Sequence, residues 1–208
     1  GGAMRFVLAM LGALLAAHCA TSEEDRRFPV AESERAFVII GVAESSANTS
    51  PRYTMLWRRL DSSGAFTRLS GDSAFEARTH TGGAVRVRGI PGEFVMAEID
   101  PGVYALDSVF AVIRDQNVNY SANGVILGPE RPTFEVRPGE AVYLGIWQMD
   151  LEDVTAVTRP WRLDEADVRA ALTQNDAIVG RARVRQTYTR SVPCEPHQLN
   201  PRSQRQAC

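Results

Sequence analysis

Two segments of the sequence decide the fold: Phe94-Val-Met-Ala-Glu-Ile-Asp-Pro-Gly-Val-Tyr104 and Thr133-Phe-Glu-Val-Arg-Pro-Gly-Glu-Ala-Val-Tyr143. In each, a strand-like run reaches Pro-Gly, and a second run containing tyrosine begins at once. Proline fixes φ at roughly −65° in the first corner position of a type II turn, and glycine accepts the positive φ of the second. The pattern predicts hairpin-like corners of one β-sheet core at Pro101-Gly102 and Pro138-Gly139, after an opening pair at Pro91-Gly92.

Further strand-like runs flank this core. Residues 36–43 are almost continuously apolar, which indicates a central strand buried on both faces. In residues 141–149, strict alternation would place Val142, Leu144 and Ile146 on one face. Gly, Pro or Asn interrupts the chain about every eight to twelve residues, so the sequence predicts a mostly β fold, an antiparallel β-sandwich of about eight or nine strands.

One short C-terminal helix is predicted after these strands. Asp164 is a good N-cap, Asp167 supplies a carboxylate in the first turn, and Val168, Ala171 and Leu172 form an apolar stripe. A helix of about ten residues is stable only when it docks on other structure, so we expect it to lie on the sheet. A last strand is expected over residues 177–188.

The N-terminal residues indicate export. Met4-Arg5 precedes the apolar residues 6–17, a run too short for the roughly 20 residues that span a bilayer but suited to a signal peptide. The run ends in Leu-Ala-Ala-His-Cys19, which resembles a bacterial lipoprotein signal. The resemblance implies acylation of Cys19, attachment to the lipid bilayer and, with Ala20 next, an outer-membrane location. Cleavage near Ala17 or Ala20, leaving a soluble secreted chain, is the alternative.

The chain divides into a leader (1–19), a flexible tether (20–35), a β-sandwich domain (36–188) and a tail (189–208). The tether is charged and lacks apolar repeats. In an oxidising compartment, Cys194 and Cys208 are expected to form a disulfide that stabilises the tail by roughly 3 kcal/mol.

Three motifs carry a family resemblance: Leu56-Trp-Arg-Arg59, Pro101-Gly-Val-Tyr104 and Phe134-Glu-Val-Arg-Pro-Gly-Glu-Ala-Val-Tyr-Leu-Gly145. They are similar to segments of bacterial envelope lipoproteins of uncharacterised function with a carboxypeptidase-regulatory-like, prealbumin-like β-sandwich. The resemblance covers roughly residues 36–149 and implies the fold. Since the matching residues form turns and core, it implies no catalytic residue.

Composition and motifs exclude several functions. The formal net charge is −2 with a pI near 6.0, so nucleic acid is not expected as a partner. No lysine is present, which removes Schiff-base and P-loop lysine chemistry. Catalytic motifs are lacking, and His80 reads as a surface residue, so no catalytic residue, metal or cofactor is predicted. Glu98 with Asp100, and the acids at 150, 152 and 153, are interpreted as solvated carboxylates, although a hydrolase could use such pairs.

Two candidate binding surfaces remain. If residues 177–188 form one strand, Arg181, Arg183 and Arg185 lie on one face, where they could dock an anionic partner or simply protect a solvated edge. Tyr143 and Trp147 could stack on sugar rings, or they could form core beneath the helix.

The sequence therefore predicts a non-enzymatic, membrane-anchored envelope lipoprotein that docks on another envelope protein or complex. A periplasmic or secreted carbohydrate-binding module is the alternative, followed by a hydrolase whose acids meet only in the fold. In the favoured interpretation, confinement at a membrane raises the local concentration of a weak binding module.

Overall fold

The computed structural model describes residues 26–44, 51–79, 85–87, 90–115, 118–126, 128–153, 155–202 and 205–208. The leader with Cys19, residues 20–25 of the predicted tether, and His80 lie outside the described residues. Within the described part, the chain is mostly β with one helix, and antiparallel sheets are present. The predicted fold class is confirmed at that level.

The strands in the described part of the chain are named in chain order. They are β1 (Phe28–Pro29), β2 (Ala36–Glu44), β3 (Arg52–Arg59), β4 (Ala74–Arg78), β5 (Val85–Val87), β6 (Ile90–Ile99), β7 (Gly102–Asp115), β8 (Val118–Ile126), β9 (Glu130–Val136), β10 (Ala141–Glu152), β11 (Thr155–Arg162), β12 (Ile178–Val179), β13 (Arg183–Val184), β14 (Tyr188–Ser191), β15 (His197–Gln198) and β16 (Gln206–Ala207). The helix α1 spans Glu165–Gln174, and a short 3₁₀ turn spans Gly71–Ser73.

Twelve of these strands form one sheet in the order β14-β9-β7-β8-β11-β10-β2-β6-β5, with β3 paired to β7, β4 paired to β3, and β13 paired to β10. Most neighbours are antiparallel, but β10 runs parallel to β2 and to β13, and β11 runs parallel to β8. All nine residues of β2 are buried between β6 and β10. The prediction of a central strand at residues 36–43 is therefore confirmed.

The main core is formed by strands that are not neighbours in the sheet. Trp57 of β3 and Trp147 of β10 meet edge to face with ring centroids 5.5 Å apart, and Phe134 of β9 lies 5.5 Å from Trp57. Aromatic rings prefer such tilted contacts. A second cluster lies on the other face of β2 and β10, where Phe37 and Tyr143 are covered by α1 and by the segment around β1.

The two Pro-Gly corners exist, but they do not make hairpins. Pro101-Gly102 leads from β6 to β7 and Pro138-Gly139 from β9 to β10, and neither pair of strands is hydrogen-bonded together. The second corner is a turn in which the Glu140 amide donates to the carbonyl of Arg137 at 3.1 Å and Gly139 has φ 79°. Turn residues set the local backbone angles and not the pairing partner, so the hairpin prediction was wrong.

The third pair, Pro91-Gly92, lies inside β6 rather than at a corner. A Cβ on Gly92 would approach the carbonyl oxygen of Val42 on the neighbouring strand to 2.4 Å. Glycine inside a strand commonly marks such a close backbone approach. Its role here is to let β6 lie against β2.

The predicted tether and the predicted tail both contribute to the folded domain where the structure describes them. In the predicted tether, Phe28 is 3% exposed, its ring lies 5.3 Å from that of Phe37, and β1 pairs with β12. In the predicted tail, Val192 and Ala207 are fully buried. The boundaries at 36 and 188 therefore fall inside the folded unit, because isolated apolar residues in polar segments contribute to its core.

The helix α1 has the N-cap and the buried apolar residues that the sequence predicts. The Asp164 carboxylate accepts a hydrogen bond from the Ala166 amide at 2.9 Å, as an N-cap does. Val168 and Ala171 are buried against the sheet. The helix therefore covers the outer face of β10 and fixes the residues that follow β11.

Candidate functional site

Tyr143 and Trp147 are core residues, so of the two alternatives for them the core is confirmed and the glycan-stacking surface is wrong. Tyr143 is 0% exposed and Trp147 1% exposed. The Trp147 indole Nε1 donates to the carbonyl of Leu144 at 3.1 Å. Burial raises the pKa of the Tyr143 phenol, with the nearby Asp167 carboxylate acting in the same direction. Neither ring can stack on a ligand from solvent.

A β-bulge explains why simple alternation failed in β10. Tyr143 pairs with Ile39 and Ile146 with Gly41, so β10 carries one residue more than β2 between these positions. An extra residue reverses the faces of all later side chains. Consequently Trp147 shares the main core with Leu144, whereas Ile146 faces the other side and contacts Trp161.

The predicted arginine strand is broken into separate pieces. Residues 177–188 contain β12, β13 and the first residue of β14, not one continuous strand. Gly180 has φ 117°, and a Cβ there would lie 2.7 Å from the Cβ of Val30. The chain bends at this glycine because it passes against the segment that follows β1.

The three arginines do not form a free cationic stripe. The Arg181 guanidinium binds the Glu165 carboxylate, which lowers the pKa of Glu165. Arg185 lies 3.1 Å from the Glu140 carboxylate. Arg183 is exposed on β13, and no ion pair of its side chain occurs within the described part of the chain. Two of the three charges are therefore balanced by carboxylates. Of the predicted anion-docking surface, only Arg183 still offers an exposed charge with no ion pair among the described residues.

Cys194 and Cys208 form the predicted disulfide, with sulfur atoms 2.00 Å apart. The bond holds Cys208 against the domain rather than closing a loose loop. The Cys208 amide donates to both carboxylate oxygens of Asp107, at 3.1 and 3.2 Å, and its carbonyl accepts from Arg58. The tail is therefore pinned at its disulfide to a buried charged group.

That group, called the charged cluster below, consists of Arg58, Asp107 and Arg131. Arg58 lies 2.7 Å from the Asp107 carboxylate, with side chains 5% and 0% exposed. Both guanidiniums lie over the ring of Phe66, at 5.0 and 5.3 Å from its centroid. The pKa of Arg131 is lowered, chiefly by burial. The Asp107 carboxylate opposes this effect, and the charge of Arg58 adds to it. No local pattern in the sequence predicts this cluster.

The candidate acid pairs are engaged by arginine. Glu98 and Asp100 both bind Arg35, at 2.7 and 3.1 Å, together with Asp72 at 2.5 Å. Glu152 binds Arg159 at the surface. Among the described residues, no three His, Cys, Asp or Glu side chains are grouped so that they could hold a metal ion.

The most site-like feature is a small cavity at the edge of β10, called the notch. Its inner end is formed by the buried Leu144 and Trp147. Its outer wall is formed by Pro160, Trp161, Arg162, Leu163, Gln186 and Thr187. The cavity volume is about 250 Å³. The notch lies at the C-terminal end of β11, next to the segment that links β13 to β14.

A second bulge creates the outer wall of the notch. Trp147 pairs with Pro160 and Ile146 pairs with Arg162, so Trp161 is an extra residue in β11. Its ring is half-buried against Ile146. Pro160 lacks a backbone donor and is tolerated in a strand chiefly at edges and bulges. The bulge thus places an aromatic ring at the cavity mouth.

Gly145 allows the bulged segments of β10 and β11 to lie close together. It has φ 84°, and a Cβ there would lie 2.3 Å from the Arg162 carbonyl oxygen and 3.1 Å from Leu163 Cδ1. The backbones of β10 and β11 therefore approach each other at this point as only glycine allows. The sequence signal was present in Leu-Gly-Ile and in Pro-Trp, because glycine and proline inside strands mark bulges.

Comparison of the chain with protein-family models, with curated proteins and with solved structures finds no match. Across the described residues, none of the helical structure has the length and apolar character needed to cross a membrane.

Proposed function

We propose that this chain is a non-enzymatic lipoprotein of the bacterial outer membrane, anchored to lipid through acylated Cys19. Its domain is an antiparallel β-sandwich of the kind that the sequence motifs resemble. The domain binds another envelope component at the edge of β10, where the notch lies.

The disulfide between Cys194 and Cys208 is the observation that carries this proposal. Disulfides persist in secreted and periplasmic proteins and are rare in the reducing cytosol. Here the bond fixes Cys208 on the charged cluster, so it is part of the folded domain. A structural disulfide of this kind supports export, which the apolar residues 6–17 before Cys19 predict independently.

The core arrangement supports the sandwich. Strands that are not neighbours in the sheet contribute aromatic rings to a single buried cluster, as Trp57 of β3 and Trp147 of β10 do. Tyr104, in the resemblance motif, donates its hydroxyl to the carbonyl of Asp100 at 2.7 Å and so braces the Pro-Gly corner. A closed two-layer core of this kind presents surfaces and edges for binding.

The folded start of the domain shortens the tether. Since β1 begins at Phe28, nine residue steps separate it from Cys19. At about 3.3–3.6 Å per residue, the chain between them can extend to at most about 30 Å. The domain would therefore stay close to the bilayer, where a weak interaction gains from high local concentration.

Replacing Cys19 by alanine tests the anchor. We expect the wild-type protein to fractionate with outer membranes and Cys19→Ala to be lost from that fraction, because the acyl chains are the attachment. His18→Ala is the matched control, since it keeps the cysteine and should remain with outer membranes. A Cys19→Ala protein that still fractionates with outer membranes would contradict the proposal.

A further inference from the structure

The notch combines two features that are typical of ligand-binding sites: strand bulges and a partly exposed aromatic ring. Two bulges meet there, one on each of the paired strands β10 and β11. Bulges are over-represented next to functional sites, where they redirect a side chain. Here the redirected side chain is Trp161, the one tryptophan of the described chain that is not fully buried.

We propose that the notch binds one neutral pyranose ring of an envelope glycan, with the apolar face of the sugar against the Trp161 indole. The inference deepens the proposed function and rests on it, because it names the chemical class of the envelope component that the domain binds.

The lining of the notch fits an amphipathic ring. Pro160, Trp161 and Leu163 supply apolar surface, and Leu163 is 42% exposed. The lining also contains Gln186 and Thr187, whose side chains make no hydrogen bond to other described residues. An amide and a hydroxyl can each donate and accept, which matches the hydroxyl groups at the rim of a sugar. The lining thus offers both apolar surface for stacking and groups for hydrogen bonds.

The size of the notch limits the ligand to a single ring. Its volume of about 250 Å³ lies below the roughly 300–1,000 Å³ of pockets that enclose drug-sized ligands. The cavity closes inward on Leu144 and Trp147, so a chain cannot pass through it. A terminal or protruding residue of a longer glycan is therefore the unit that enters.

The charge balance of the notch selects a neutral sugar. Arg162 is the only charged residue that lines the notch in the described part of the chain. Its guanidinium already binds Asp167 at 2.9 Å and Asp164 at 3.5 Å. The Asp167 hydrogen bond raises the pKa of Arg162. Because this cation is fully paired, the notch offers no net positive charge to a uronic acid or a phosphate.

The protein reports this binding by its own fluorescence. Trp57 and Trp147 are 0% and 1% exposed, whereas Trp161 is half-buried at the cavity. The full chain, purified from membranes in detergent, is titrated with chitotetraose, cellotetraose and maltotetraose, and with a tetragalacturonate as the charged comparison. We expect at least one neutral oligosaccharide to give a saturable change in tryptophan emission and the charged one to give none.

Three variants assign the binding to the notch. Trp161→Ala should weaken it about tenfold, since stacking on the ring contributes about 1.4 kcal/mol. Gln186→Ala, which alters only an exposed side chain, should weaken it about fivefold, since a hydrogen bond contributes about 1 kcal/mol. Binding by these variants is measured by calorimetry, after circular dichroism has confirmed that they are folded. Tyr188→Ala is the control, because Tyr188 is 48% exposed but does not line the notch; it should bind like wild type.

Several results would overturn the inference: no saturation by any neutral probe at 10 mM or so, tighter binding of tetragalacturonate, or unchanged affinity in both Trp161→Ala and Gln186→Ala. A protein that binds at the notch and is not displaced by any of the neutral oligosaccharides would also count against the inference. These outcomes leave the anchor untouched, because acylation of Cys19 is measured separately; loss of membrane attachment in the wild type would instead remove the proposed function.

Discussion

Replacing Asp107 by asparagine is expected to lower the free energy of unfolding by about 3–5 kcal/mol. The carboxylate is fully buried, lies 2.7 Å from Arg58, and accepts two hydrogen bonds from the Cys208 amide. Asparagine keeps the size of the side chain but leaves the guanidiniums of Arg58 and Arg131 without the buried negative charge between them. Chemical denaturation followed by tryptophan fluorescence measures the change.

Glu152→Gln is the matched control for this substitution. Glu152 also binds an arginine, Arg159, but the two side chains are 55% and 52% exposed. Exposed ion pairs contribute about 0–1 kcal/mol, so this variant should be close to wild type in stability. If Asp107→Asn were as stable as Glu152→Gln, the charged cluster would not be what holds the C-terminal segment on the domain.

Replacing Gly145 by alanine is expected to destabilise the protein by about 3 kcal/mol or more. A positive φ strains any residue with a Cβ, and the new methyl group would lie 2.3 Å from the Arg162 carbonyl oxygen. To make room, β11 must move away from β10, which also displaces the wall of the notch. Thermal and chemical unfolding measure the first effect, and oligosaccharide titration measures the second.

Gly71→Ala separates strain from collision. Gly71 also has a positive φ, 47°, but a Cβ there would meet nothing within 4 Å. Its substitution should cost about 1 kcal/mol, the strain alone. Equal losses in the two variants would mean that the bulges relax easily, and the notch would then not be a fixed feature of the sheet.

Local chemistry was predictable where one residue type determines the conformation. Asp164 was recognised as an N-cap, and Pro138-Gly139 as a turn, because those side chains satisfy specific backbone needs. The continuous apolar run of β2 identified a central strand. The pairing of Cys194 with Cys208 followed from there being two cysteines in the C-terminal segment.

Register could not be predicted, because one extra residue reverses every later assignment. Alternation placed Ile146 with Leu144, and the bulge at Gly145 placed Trp147 there instead. Tyr143 and Trp147, which alternation placed together on one face, lie in two different core clusters. Glycine between Leu144 and Ile146 was the available signal, but the pattern alone does not say whether such a glycine bends, bulges or merely weakens a strand.

Buried charge was the second feature that sequence could not reveal. Arg58 and Arg131 occupy strands in which arginine ordinarily faces water. Their burial depends on Asp107 from β7 and on Cys208 from the C-terminal segment, which come together only in the folded chain. Long-range partners of this kind leave no local pattern.

The most direct test of the central claim is intact-mass and peptide mass spectrometry of the protein isolated from bacterial outer membranes. We expect a mature chain that begins at Cys19, carries acyl groups on that residue, and contains the Cys194–Cys208 disulfide before reduction. A mature chain with another, unmodified N-terminus, or free thiols at both C-terminal cysteines, would contradict an exported and lipid-anchored binding module.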